Sequence, residues 1–151
     1  MNYSQEKADK FKKLYWFEEQ IAGYNKSIAM VWKDQKISYY GLLNQSNDWL
    51  VRLANAGLKK GSSIAIVGDF SPGTYSLLIA LIRGAYIAVP ISKSSYSKNP
   101  EKLKIACVKC AIEFDYDDNF VETIIKKPNQ HPLIKKLVSK KEPGLILFTS
   151  G

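Results

Sequence analysis

Ser63-Ile64-Ala65-Ile66-Val67-Gly68 is an unbroken apolar run closed by a glycine, and its reading decides the fold. A strand with one wet face alternates apolar and polar residues, whereas a continuous run reads as a strand covered on both faces of a parallel sheet. Asp69-Phe70-Ser71-Pro72 breaks the run, with Ser71 as a helix cap and Pro72 at the first helical position. The helix that follows buries Leu77, Leu78, Leu81 and Ile82, and Tyr86-Ile87-Ala88-Val89 is the next strand, ended by Pro90. Strand, helix, strand in this order implies a right-handed crossover and an α/β fold, a doubly wound, mostly parallel sheet flanked by helices.

Working upstream, Leu42, Leu43, Trp49, Leu50, Leu53 and Ala54 mark one face of a helix that Ser38 caps and Gly57 closes. Ser27 to Trp32 and Lys36 to Ser38 read as two strands joined by the polar hairpin turn Lys33-Asp34-Gln35-Lys36. Phe11, Leu14, Tyr15, Ile21 and Ala22 recur at helical spacing, so residues 1–26 are expected to form an N-terminal helix and 27–151 an α/β subdomain. Downstream, Ser92 to Pro100 reads as a surface loop, Glu101 to Lys109 as a short helix and Cys110 to Phe114 as a strand. Phe120-Val121 and Leu133-Ile134 read as short helical stretches. Leu145-Ile146-Leu147-Phe148, after Pro143-Gly144, reads as a buried strand that runs into Thr149-Ser150-Gly151. Small hydroxylated residues at a strand end offer N–H and O–H donors to an anion, phosphate above all, although the same three residues also make an ordinary turn.

Composition narrows the function classes. With 151 residues, 46% of them hydrophobic, the chain suits one globular domain with a real core. No apolar stretch is long enough to span a membrane, and the polar N-terminus has no secretory pattern, so the cytoplasm is expected. The net charge of +8 comes from scattered lysine pairs with only Arg52 and Arg83 as arginines, a solvated surface rather than a specific nucleic-acid site. Cys107 and Cys110 form one C-x-x-C at the end of the expected helix, where no dipole lowers a thiol pKa, and they read as small, partly buried helix residues. His131, the one histidine, reads as a loop residue, so no zinc set forms. The carboxylates of Glu113, Asp115, Asp117 and Asp118 lack the spacing and glycine of a calcium loop and read as a solvated acidic turn.

Four segments then occur in a telling order: Ile37 to Leu43, Leu58 to Ile66, Ala80 to Ile91, and Leu147-Phe148-Thr149-Ser150-Gly151. Together they resemble the adenylate-forming (AMP-binding) superfamily of acyl- and aryl-CoA ligases, nonribosomal peptide adenylation domains and luciferases. Gly41 stands where that family usually has Glu, and Ala85 where it usually has Gly. The resemblance implies that residues 1–151 are the N-terminal portion of an AMP-binding domain of the acetyl-CoA synthetase-like fold. It also implies ATP and Mg²⁺ as cofactors, a carboxylic acid as substrate, and coenzyme A or a phosphopantetheine carrier as thiol acceptor. The acid is activated as an acyl-adenylate and passed to the thiol. Thr149, Ser150 and Gly151 look like the opening of the family's phosphate-binding loop and are the implied ATP contacts; no residue present matches a catalytic one, so the fragment alone is expected to be inactive. Two other readings remain open: a self-contained, flavodoxin-like module binding a phosphate-bearing ligand at Gly68-Asp69 and Thr149-Ser150-Gly151, and a non-catalytic interaction domain with a lysine surface.

Overall fold

The computed structural model describes residues 18–126, 131–140 and 142–148. By its internal contacts the chain divides into two compact units, 1–44 and 45–151. In the first unit, residues 18–24 are helical (α1), and the expected hairpin forms from β1 (Ile28–Trp32) and β2 (Gln35–Ser38). Its turn is tighter than expected, Gln35 and Lys36 already belonging to β2, and Lys33 and Asp34 have φ of 45° and 63°, left-handed values that match the twist of a two-residue hairpin. The positions Phe11, Leu14 and Tyr15 of the expected N-terminal helix lie outside the described residues. α2 (Tyr39–Asn55) begins with Gly41 N–H donating to Ser38 Oγ at 3.1 Å, the expected cap. Gly57 follows it at φ 74°, also as expected.

The second unit is built on a five-stranded sheet of order β6-β5-β3-β4-β7. β3 (Ser63–Val67) lies at its centre, parallel to β4 (Ile87–Ile91) and to β5 (Val108–Phe114). All five residues of β3 are buried, because helices cover both faces. On one face Trp49 and Leu53 of α2 and Leu77, Ala80 and Leu81 of α3 (Pro72–Arg83) pack on Ile64, Ile66, Ala88 and Ile112. On the other, Tyr96 of α4 (Lys93–Lys98) and Leu103 of α5 (Glu101–Ile105) pack on Ala65, Val67, Val89 and Ala111. The doubly wound α/β reading therefore holds, with β6 (Phe120–Ile124) as an antiparallel strand on one edge.

Several local expectations are corrected. Ser92 to Pro100 holds a helix, because Ser92 Oγ accepts from Ser95 N–H and starts a turn. The helix expected to reach Lys109 stops at Ile105, and Cys107, at φ 52°, reverses the chain into β5. The cysteines are thus not helical: Cys107 lies in that turn and Cys110 in β5, both buried. Burial and the nearby Glu122 carboxylate push the Cys110 thiol up to about 12, which suits an inert core residue. Phe120-Val121 is strand rather than helix, since the tight turn after β5 folds it straight back as β6. Leu133-Ile134 is helical as expected, in α6 (Pro132–Lys140).

The largest difference concerns the last strand. Among the described residues β7 (Gly144–Leu145) pairs only with β4, and Ile146 N–H extends the pairing to Ala88 O at 2.9 Å. An edge strand has one free side, so its burial alternates: Ile146 and Phe148 join the core of one face, while Leu145 and Leu147 are 58% and 66% exposed.

Candidate functional site

In an open α/β sheet, ligands bind beyond the carboxyl ends of the parallel strands, where the strand order reverses. Here that place is bounded by the loops after β3, β4 and β5. Gly68 has φ 147°, and a Cβ there would stand 3.3 Å from the Phe114 backbone oxygen, so glycine lets the chain turn close against β5. Asp69 and Phe70 then lead to the capping box of α3. Ser71 Oγ accepts from Thr74 N–H at 3.2 Å, and Ser71 N–H donates to Thr74 Oγ1 at 2.8 Å.

The acidic turn after β5 completes this helix terminus. Asp118 accepts from Ser71 Oγ through one carboxylate oxygen and from Gly73 N–H at 2.8 Å through the other. Gly73 must be small: a Cβ there would lie 2.6 Å from Asp118 Oδ1 and from Phe114 Cε1. The first-turn donors of α3 are therefore all committed. Pro72 has none, Gly73 serves Asp118, Thr74 serves Ser71 Oγ and Tyr75 N–H serves Ser71 O. A negative side chain at a helix N-terminus also satisfies its dipole, so the position open to phosphate in many α/β proteins is filled from within. Asp115 organises the same turn: its side chain accepts from Asp117 N–H at 2.8 Å, Asn119 N–H at 2.9 Å and Asn119 Nδ2 at 3.1 Å. The Asn119 side chain first, then these backbone donors, hold its carboxyl below the usual carboxylate range. The acidic turn is structural, not merely solvated, and among the described residues no group of three or more His, Cys, Asp or Glu is placed to hold a metal.

Between the ends of β3 and β4 lies a cleft of about 290 Å³, lined by Gly68, Phe70, Thr74, Tyr75, Pro90 and Ser92 among others. Phe70 is 78% exposed, its ring 5.4 Å from that of Tyr75. On the far side of β4 comes β7, and beyond it Phe148, the last described residue, packs on the core with Lys102 Nζ 5.3 Å from its ring. Thr149, Ser150 and Gly151, the expected phosphate contacts, lie outside the described residues. Gly68-Asp69, the other expected anion loop, is present, but the helix beside it has its donors occupied. His131 does more than its sequence promised: Nδ1 accepts from Leu133 N–H at 3.2 Å at the start of α6. The pairing of Asp118 with Gly73 escapes sequence reasoning, because residues 45 positions apart carry no local signal of it.

No family model matches the chain. A mycosubtilin synthase polypeptide of Bacillus subtilis is 25% identical over 145 residues, 89% of this chain and 6% of that protein. The 4-hydroxybutyrate–CoA ligase 1 of Metallosphaera sedula is 32% identical over 68 residues, 41% of this chain and 12% of that protein. Among solved structures, the NpsA N-terminal subdomain of Klebsiella oxytoca, in complex with 3-hydroxybenzoyl-AMSN, superposes with a TM-score of 0.68 at 25% identity over 91% of this chain and 37% of that one. NpsA within an artificially fused adenylation–PCP di-domain gives the same TM-score, 0.68, at 22% identity over 91% of this chain and 28% of that one. The chain thus spans little more than a third of that solved subdomain and a small part of the curated relatives. Sequence segments in family order, a doubly wound sheet and these relatives together support a place for this chain in the adenylate-forming superfamily, with similarity to the N-terminal part of the adenylation fold.

Proposed function

We propose that residues 1–151 form the N-terminal portion of the AMP-binding domain of a cytoplasmic ligase that uses ATP and Mg²⁺ to activate a carboxylic acid as an acyl-adenylate and then transfers it to a thiol. The observation that carries the reading is the closed terminus of α3. Since Asp118 and Ser71 take its donors, a self-contained module binding phosphate beside Gly68-Asp69 would find no first-turn N–H group of α3 to use. Phosphate contact then falls to the segment after β7, to Thr149, Ser150 and Gly151. A loop of small residues there supplies N–H and hydroxyl donors for charge that moves between ground state and transition state. The relatives support both thiol classes, one named a CoA ligase and another joined to a PCP carrier. The surrounding architecture is read as scaffold: the pairing with β4 and the packed side chains of Ile146 and Phe148 support a loop that begins after them.

Carboxylate-dependent ATP–pyrophosphate exchange tests this, run on residues 1–151 and on the chain extended by whatever coding sequence follows Gly151. Exchange is expected only from the extended chain, with at least one of a panel of fatty, aromatic and amino acids. Saturable Mg-ATP binding by residues 1–151 alone would favour the self-contained module. An extended chain inert toward every acid would remove the ligase reading.

A further inference from the structure

Phe148 stands immediately before Thr149-Ser150-Gly151, and its ring is held on two sides. From one side it packs on the buried cluster of Ala65, Val67, Val89 and Ala111, on which Tyr96 of α4 and Leu103 of α5 also pack. From the other comes Lys102 of α5, whose Nζ is 5.3 Å from the ring centroid, inside the roughly 6 Å within which an aromatic face attracts a cation. The same ammonium donates to Ser95 Oγ at 2.7 Å in a part-buried hydrogen bond. Ser95 is fixed in turn, since its N–H donates to Ser92 Oγ at 3.3 Å at the start of α4, directly after β4. A lysine side chain is long and rich in rotamers, so it keeps one position only where its head group is tied. Here the tie runs from α4 through Lys102 to the Phe148 ring. Lys104, two residues along α5, makes the contrast: it pairs with Glu101 at 2.8 Å, and its side chain is 64% exposed.

We infer that Lys102 is a positioning residue for the segment that follows Phe148. By holding the ring against α4 and α5 it fixes the point from which Thr149, Ser150 and Gly151 depart. This role rests on the ligase reading, in which those three residues meet ATP phosphate. Donors set in place before the nucleotide arrives need no reorganisation, and a loop anchored at its first residue gives up less backbone freedom on binding. Lys102 acts through Phe148 and not by contact with the nucleotide. Its loss therefore weakens Mg-ATP binding and leaves the chemical step almost untouched, which separates it from a catalytic cation.

The test is carboxylate-dependent ATP–pyrophosphate exchange by the extended chain with Mg-ATP varied. Lys102→Met keeps an unbranched apolar stem without the charge; it should raise the KM for Mg-ATP about threefold to fivefold, the scale of one cation–π contact, with the saturating rate within about twofold of the parent. Lys102→Arg, which keeps a cation for the ring and a donor for Ser95, should restore KM to within about twofold of the parent. Lys104→Met removes the same charge from the same helix and should leave KM unchanged. In isotopically labelled residues 1–151, without nucleotide, the Phe148 amide resonance should move in Lys102→Met and stay in place in Lys104→Met. If Lys102→Met does not fold, Phe148→Leu, which removes the ring and keeps an apolar side chain, decides by the same rise in KM. An active parent whose KM is unchanged in Lys102→Met, or rises equally in Lys104→Met, overturns the role of Lys102 and leaves the ligase reading standing. So does a Phe148 amide that Lys102→Met does not move. A parent inert toward every acid removes the ligase reading and the positioning role together.

Discussion

The N-terminus of α3 and the strand β7 belong to one sheet and its cover, yet the first is capped from within and the second, among the described residues, is an edge paired on one side. At α3, a carboxylate from a distant turn, a capping box and a glycine with no room for a methyl group use every donor. Along β7, one side of the strand is paired, and exposed Leu145 and Leu147 alternate with packed Ile146 and Phe148. On the proposed function, the difference separates scaffold from site. A terminus whose donors are satisfied by its own chain adds stability and rigidity, and donors available to a substrate must come from a segment that has not been so completed.

Breaking the closed terminus should have the largest effect. Asp118→Ala strips Gly73 N–H and Ser71 Oγ of their acceptor and should cost about 1–3 kcal/mol in a urea melt, since part-buried donors are left unmade. A loss indistinguishable from zero would mean that water replaces the carboxylate and the terminus is open after all. The contrast sharpens at α2, whose cap is half built. Gly41 N–H reaches Ser38 Oγ, but glycine supplies no return acceptor, and a Cβ there would meet Ser38 Oγ at an ordinary 3.5 Å. Gly41→Glu should therefore stabilise by about 1 kcal/mol, from helix propensity and a completed capping box.

These positions show how much the sequence disclosed. The continuous run Ser63 to Val67, the Ser71-Pro72 cap, the turn at Lys33-Asp34 and Gly57 are local signals, and local chemistry suffices to read them. Asp118 is out of reach of such reading because its role depends on β5 and α3 being neighbours. β6 departs from expectation for a similar reason: two apolar residues in a polar stretch take their strand form from pairing with β5, not from their own periodicity. β7 departs because four apolar residues in a row look alike at the centre and at the edge of a sheet. Ala85, the departure from the family pattern, has a physical meaning in the fold. Its φ is 56°, a left-handed value that disfavours a Cβ, which explains why glycine suits the position. Ala85→Gly should relieve that strain and stabilise by about 0.5 kcal/mol, part of the gain being lost to the greater freedom of glycine in the unfolded chain. The smallest effect is expected at the open edge: Leu147→Ser, at a residue 66% exposed, should change the melting free energy by less than about 0.5 kcal/mol.

The most direct measurement of the division between closed terminus and open edge is carboxylate-dependent ATP–pyrophosphate exchange by the extended chain in two variants, Ser150→Ala and Asp118→Asn, each compared at a temperature where both are folded. The expected result is a loss of at least about tenfold for Ser150→Ala, the scale of a lost donor to developing charge, and exchange close to the parent for Asp118→Asn. Undiminished exchange in Ser150→Ala together with a tenfold or greater loss in Asp118→Asn would contradict it, and would move the phosphate site to the helix whose donors the structure shows as taken.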